Sequence, residues 1–227
     1  MRRILLAVTL FSGLSLSAQQ LDAAKPHHYI LKITPDFKAG IFKGEVTIHG
    51  DTLRPTSEIT LHAVELEFRE VTLQALPAGE IQTASVKLDK KKQTATLGAT
   101  VPLPAGPVEI KIKYRGKLGK NARGFYRASC GDSQYATTAL AGGNARRMFP
   151  SWDDPAYPAP FNVLAVVGAT ETARSNAAIE KEMPSTNPEE RVIAFAMTEK
   201  IPTSDLRLSI GEARCLPPPE AGATAAR

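Results

Sequence analysis

The side chains best equipped for chemistry crowd into one window. Asn144-Ala145-Arg146-Arg147-Met148-Phe149-Pro150-Ser151-Trp152-Asp153-Asp154-Pro155-Ala156-Tyr157 holds two arginines, two aspartates and the only tryptophan of the chain. Gly124-Phe125-Tyr126-Arg127 stands about twenty residues before it. Guanidinium forks bind carboxylates through paired hydrogen bonds. Arg146 and Arg147 with Asp153 and Asp154 therefore predict an internal ion-pair knot that locks a long loop, with Phe149 and Trp152 as plugs. The sharper reading is a substrate-binding edge. General acid–base work by Asp153-Asp154 fits less well, because adjacent side chains diverge in extended chain and Asp before Pro organises a turn.

Elsewhere the catalytic inventory is thin. Of the four histidines, His27 and His28 are adjacent and would point to opposite faces of a strand, a poor start for a shared metal. His49 and His62 read as surface or capped histidines at strands. There is no zinc-spaced Cys/His cluster, no His-x-x-x-His pair, no G-x-S-x-G elbow, no P-loop and no dinucleotide fingerprint. Neither a catalytic residue nor a metal-ligand set follows. The excess of 28 Lys+Arg over 23 Asp+Glu is small, and Arg2 and Arg3 supply part of it, so a nucleic-acid partner is not expected. Asp89-Lys90-Lys91-Lys92-Gln93 reads as a hairpin tip with solvated charges; it is too small for a phosphate or membrane patch, and no aromatic residue is interleaved in it.

The elements that must position these residues are strands. Val108, Ile110, Ile112 and Tyr114 alternate with Glu109, Lys111, Lys113 and Arg115, a half-buried strand. The same period of two runs through Tyr29, Leu31 and Ile33, and through Phe42, Val46 and Ile48 around Gly44. Further strands are predicted at 58–63, 66–75, 84–88, 94–97, 162–168, 191–198 and 205–210. Pro35-Asp36, Arg54-Pro55, Pro77-Ala78-Gly79, Pro104-Ala105-Gly106-Pro107 and Asn187-Pro188 punctuate them. No window sustains a helical stripe. An all-β, antiparallel multi-sheet saddle or sandwich is expected.

Met1-Arg2-Arg3, the apolar run Ile4–Leu16 and small residues up to Ala18 form the tripartite pattern of a secretory signal peptide over residues 1–18. The run falls short of the roughly 20 residues that span a bilayer, so no membrane anchor is expected after cleavage. A secreted or periplasmic location follows. In that oxidising setting Cys130 and Cys215 can pair; two separate thiols are the other reading, and sequence leaves both open. Residues 216–227, rich in Pro and Ala, are expected to be a disordered tail.

Several stretches together resemble the N-terminal β domain of the aminopeptidase N family of zinc metallopeptidases, the gluzincins. Pro26-His27-His28-Tyr29-Ile30-Leu31-Lys32-Ile33 is similar to the family's P-x-x-Y-x-L-x-L opening. Phe42-Lys43-Gly44-Glu45-Val46 is similar to F-x-G-x-V, Ile59-Thr60-Leu61-His62-Ala63 to I-x-L-H-A, and Gly124-Phe125-Tyr126-Arg127 to G-F-Y-R. The run from Ala145 to Ala156 follows A-R-x-x-F-P-C-W-D-E-P-A, with Ser151 and Asp154 replacing Cys and Glu. Arg174-Ser175-Asn176 and Pro202-Thr203-Ser204-Asp205-Leu206 echo later stretches, so the resemblance covers residues 25–213.

The resemblance implies a saddle of β sheets that, in the family, precedes a catalytic domain holding zinc through His-Glu-x-x-His. Neither that motif nor its downstream partners occur in this sequence, so no cofactor is expected in this chain. The family's N-terminal domain also supplies a T-Q-x-E segment whose Gln and Glu help hold the peptide's amino end. Aligned on Ala145, the segment here is Thr138-Ala139-Leu140-Ala141, and a methyl group can do neither job. The expectation is a stand-alone exported domain with a binding or scaffolding role and no catalysis of its own. The alternative is one part of a split or truncated metalloaminopeptidase working with a catalytic domain encoded elsewhere. Its partner is then that metallopeptidase domain in trans, or otherwise another exported protein.

Overall fold

The computed structural model describes residues 23–218; the expected signal peptide and residues 219–227 of the expected tail lie outside them. Fifteen strands follow one another among the described residues: β1 (Ala24–Asp36), β2 (Ile41–Thr52), β3 (Thr56–His62), β4 (Leu66–Ala75), β5 (Gln82–Thr83), β6 (Ser85–Asp89), β7 (Thr94–Leu103), β8 (Gly106–Lys117), β9 (Gly124–Cys130), β10 (Ser133–Ala139), β11 (Phe161–Gly168), β12 (Thr172–Ser175), β13 (Ile179–Pro184), β14 (Glu190–Phe195) and β15 (Leu208–Gly211). They form an eight-stranded sheet ordered β13-β14-β11-β1-β2-β8-β4-β5, a four-stranded sheet β12-β15-β10-β9 and a three-stranded sheet β3-β7-β6. The fold is all-β and multi-sheet. No helix among the described residues is long and apolar enough to cross a membrane.

Period two decides which face is buried. Along β8 the side chains of Val108, Ile110, Ile112 and Tyr114 are buried while Lys111, Lys113 and Arg115 are exposed. Tyr29, Leu31 and Ile33 of β1 are fully buried, and so are Phe42 and Ile48 of β2. Each such aliphatic or aromatic side chain contributes about 1.5–3 kcal/mol relative to leaving it in water. Two glycines make the β2–β8 pairing possible. Gly44 lies opposite Tyr114 and Gly116 opposite Phe42, and a Cβ on either glycine would overlap the facing ring. The F-x-G-x-V pattern thus records an aromatic ring laid over bare backbone.

One pairing departs from the antiparallel expectation. β1 runs parallel to β11, in register from Tyr29 opposite Phe161 to Ile33 opposite Ala165. Hydrophobic alternation sets which face a strand buries but carries no information about its neighbour's direction. Parallel pairing needs a long connection, and here everything from β2 to β10 supplies it. The stretch from Gly124 to Ala139, where no strand is predicted, forms the β9–β10 hairpin, in register from Gly124 opposite Ala139 to Cys130 opposite Ser133. Its polar, half-exposed residues hide the period. The predicted strand at 205–210 starts later, at Leu208, after a short 3-10 turn at Thr203–Asp205.

Candidate functional site

The dense window begins where β10 ends. Gly142 and Gly143 take φ of +70° and +77°, conformations that suit glycine, and swing the chain into a 3-10 turn at Ala145–Arg147. Met148, Phe149 and Trp152 are then driven into the core, each no more than 1% exposed. Phe149 meets Tyr29 and Phe161 edge-on, both at 6.0 Å, and Tyr29 stacks on Phe161 at 4.8 Å. The Trp152 backbone N–H donates to the Tyr29 hydroxyl at 3.2 Å. Burial pushes the Tyr29 hydroxyl far above the ordinary tyrosine range, so it stays neutral and accepts this bond.

Packed on these plugs is an ion pair between Arg146 and Asp153. Arg146 Nε donates to Asp153 Oδ2 at 2.8 Å, its backbone N–H reaches the same oxygen at 3.2 Å, and Nη2 reaches the Asp153 carbonyl at 3.1 Å. The side chains are 15% and 3% exposed, so the pair is largely shielded from water. Gln93 Oε1 accepts from Arg146 Nη1 at 3.2 Å, and Thr203 Oγ1 donates to Asp153 Oδ1 at 2.9 Å. His62 closes the ring. Its backbone exchanges bonds with Ser151, and its Nδ1 accepts the Asp153 N–H at 3.1 Å. Burial, and secondly the Arg146 charge, hold the His62 pKa below its ordinary value, so the imidazole is neutral and Nδ1 is free to accept.

The four charges of the window do not act as one group. Arg147 turns outward and pairs with Glu65 at 2.8 Å. Asp154 caps a turn, accepting the Ala156 N–H at 2.8 Å. Three members of the network, His62, Gln93 and Thr203, come from remote segments. Only Thr203, in the Pro202-to-Leu206 stretch, and His62, in the I-x-L-H-A stretch, carried a motif signal; Gln93 had none.

Ala139 and Ala141 lie beside this network on the rim of a cavity of about 270 Å³. Thr138, Asn144, Ser204 and Arg207 also line it, and the only ionisable side chain among its lining residues is the Arg207 guanidinium. No group of three or more His, Cys, Asp or Glu side chains among the described residues is placed to hold a metal ion. The remaining histidines are tied into surface pairs. His27 contacts Asp51 at 2.6 Å, His28 contacts Asn162 at 2.7 Å and His49 contacts Glu109 at 3.0 Å.

Cys130, at the end of β9, is bonded to Cys215, with Cα atoms 5.5 Å apart. Leu216–Pro218, within the expected disordered tail, lie against the four-stranded sheet instead. Leu216 is buried, and Arg174 Nη1 donates to the carbonyls of Leu216 and Pro217.

The described residues thus form a multi-sheet β domain with a buried Arg–Asp lock beside the loop that follows β10. The chain matches the Peptidase M1 N-terminal domain over residues 25–204 and belongs to that family. It is 33% identical over 195 residues to aminopeptidase 2 of Candida albicans, and 27% identical over 194 residues to puromycin-sensitive aminopeptidase of Caenorhabditis elegans. To aminopeptidase N of Acetobacter pasteurianus it is 28% identical over 232 aligned positions. These alignments cover 84%, 83% and 93% of this chain. The chain spans about a fifth of the length of the first two relatives (20% each) and 64% of the third.

Proposed function

We propose that this chain is an exported, non-catalytic form of the aminopeptidase N-terminal domain, acting in binding or scaffolding. The observation that carries this reading is the cavity beside Ala139 and Ala141. To hold a peptide's ammonium group a site needs acceptors or a negative charge. No carboxylate is among the lining residues of this one, and Ala139 and Ala141 offer only methyl groups where the resemblance puts an amide and a carboxylate. Export is supported by the positive, apolar and small-residue succession of residues 1–18, and a Cys130–Cys215 bond suits an oxidising compartment.

The purified chain tests the reading directly. Incubated with aminoacyl chromogenic substrates, with and without added zinc, it is expected to release no chromophore above a heat-denatured control. Chelator-sensitive hydrolysis by the chain alone would overturn the non-catalytic role. Co-purification with an exported protein carrying His-Glu-x-x-His would make the chain a working part of a peptidase in trans.

A further inference from the structure

Two further recesses adjoin each other, and the smaller is lined by Asn121 and Arg123, on either side of the Ala122 that lines the cavity beside Ala139 and Ala141. They have volumes of about 660 and 390 Å³ and share Glu65, Lys117 and Arg147. Together they form a trough where the start of β4 and the end of β8 meet the tip of the β6–β7 hairpin and the loop after Leu118. Apolar groups furnish the larger recess: Ala63 and Leu66 are buried, and Leu88 is 51% exposed.

The charge on the trough is one-sided. Both of its acidic side chains are engaged within the chain, Glu65 with Arg147, and Asp89 with the backbone N–H groups of Lys91 and Lys92. Lys90, Lys117, Lys120 and Arg123 are exposed, and none pairs with a carboxylate among the described residues. Lys90 looked like part of a minor charged tip in sequence; folding brings it to the same trough as three cations from around residue 120.

The backbone singles out the same place. Among the described residues only two that are not glycine have positive φ, Glu65 at 57° and Gln93 at 58°, and both line the larger recess. Such conformations are unfavourable for side-chain-bearing residues and persist where surrounding structure imposes them, often at ligand sites. Here the Gln93 carbonyl accepts the Ala63 N–H at 2.9 Å, and Arg146 holds its side chain, which ties the trough to the buried lock.

We propose that this trough docks an acidic peptide segment of a partner protein, with an apolar side chain over Leu66 and Leu88 and carboxylates against Lys90, Lys117, Lys120 and Arg123. The volume and the apolar floor exceed what a lone inorganic anion would use. Nucleic acid is disfavoured because the one aromatic lining residue, Phe125, is 1% exposed and cannot stack on a base. A membrane is disfavoured because the apolar surface is recessed, whereas interfacial binding needs a protruding apolar face. The proposal deepens the binding role suggested above and rests on it.

Fluorescence anisotropy on the purified full chain provides the test. The probes are a labelled peptide of alternating glutamate and leucine, the same peptide with lysine for glutamate, and the same with serine for leucine. The acidic, leucine-containing probe is expected to bind and to weaken with salt, and the lysine version not to bind. Lys117→Glu with Lys120→Glu should weaken binding by about tenfold or more. Leu88→Ser should weaken it severalfold without changing the salt dependence, and Lys181→Glu on the distant strand β13 should leave it unchanged. All four substitutions fall on exposed residues, and unchanged thermal unfolding verifies that the fold survives.

No binding of the acidic probe overturns the proposal. So does equal binding of the serine version, an undiminished signal in the Lys117/Lys120 variant, or tighter binding of single-stranded DNA or anionic vesicles at the same residues. Aminopeptidase activity in the chain would instead overturn the non-catalytic reading, whatever the peptide result.

Discussion

Arg146 and Asp153 show how one pair of residues can hold a loop of this length. The Asp153 carboxylate collects bonds from the Arg146 side chain, the Arg146 backbone and Thr203 while only 3% exposed. Removing the guanidinium strands a buried anion, which costs far more than the pair contributes net. Arg146→Ala should lower unfolding free energy by about 3–5 kcal/mol in urea titrations. Asp153→Asn with Arg146→Met, which removes both charges, should recover much of that loss, and an unchanged urea midpoint in Arg146→Ala alone would place the pair at the surface. His62 adds a pH signature. Its pKa is depressed in the fold, so between that depressed value and the ordinary 6.5 the unfolded chain binds more protons than the folded one. Stability from this group is therefore complete above about 6.5 and lost as pH falls below it. Urea midpoints compared at neutral and mildly acidic pH should show a smaller drop for His62→Gln than for the parent chain. An equal drop would mean that His62 is protonated in the folded state.

At the scale of elements, the crossing of β2 and β8 is where side chain and backbone fit most closely. Tyr114 covers Gly44, and its ring meets Phe42 edge-on at 6.3 Å. The Tyr114 hydroxyl, however, is buried with no hydrogen-bond partner among the described residues, and burial pushes its pKa well up. Ring and hydroxyl thus pull stability in opposite directions. Tyr114→Phe keeps the ring and removes the unsatisfied group, so it should raise stability by about 1 kcal/mol. Tyr114→Ala opens a cavity over Gly44 and should cost about 3–5 kcal/mol. Thermal unfolding of both variants separates the contributions, and a destabilised Tyr114→Phe would reveal a bond made by that hydroxyl in solution. The two strands were also the most legible in the sequence, because a strand buried on one face only writes its alternation plainly. β12 and β13 did not announce themselves: β13 is almost wholly exposed, so no burial pattern constrains its residues. The window 144–157 was legible as an Arg–Asp pairing problem, since both partners lie in it. Which Arg takes which Asp, and the help of Gln93 from the β6–β7 turn, depend on how separate sheets meet, and local spacing does not encode that.

For the molecule as a whole, the Cys130–Cys215 bond decides how the chain's last described segment is held. It joins the end of β9 to the final 3-10 turn, Ala213–Cys215, across a sequence separation of 85 residues. Beyond it, Leu216 is buried and Arg174 grips two successive carbonyls, so the crosslink and these hydrogen bonds secure the same few residues. A crosslink closing a loop of this length restricts the unfolded chain by an amount worth about 4–5 kcal/mol at most, less any cost in the folded state. Urea unfolding with and without reductant should therefore differ by about 2–5 kcal/mol. Hydrogen exchange should show the loss of protection beginning at residues 213–218 and the β9–β10 hairpin, while the β1–β2–β8 core is unaffected below the transition. The same bond also bears on the proposed export. Protein recovered from a periplasm or medium should present no titratable thiol even when denatured, whereas protein made in a reducing cytosol should present both. Two reactive thiols in the exported, denatured protein would contradict the bond and remove one of the two supports for an oxidising compartment, leaving the N-terminal residues alone to carry it.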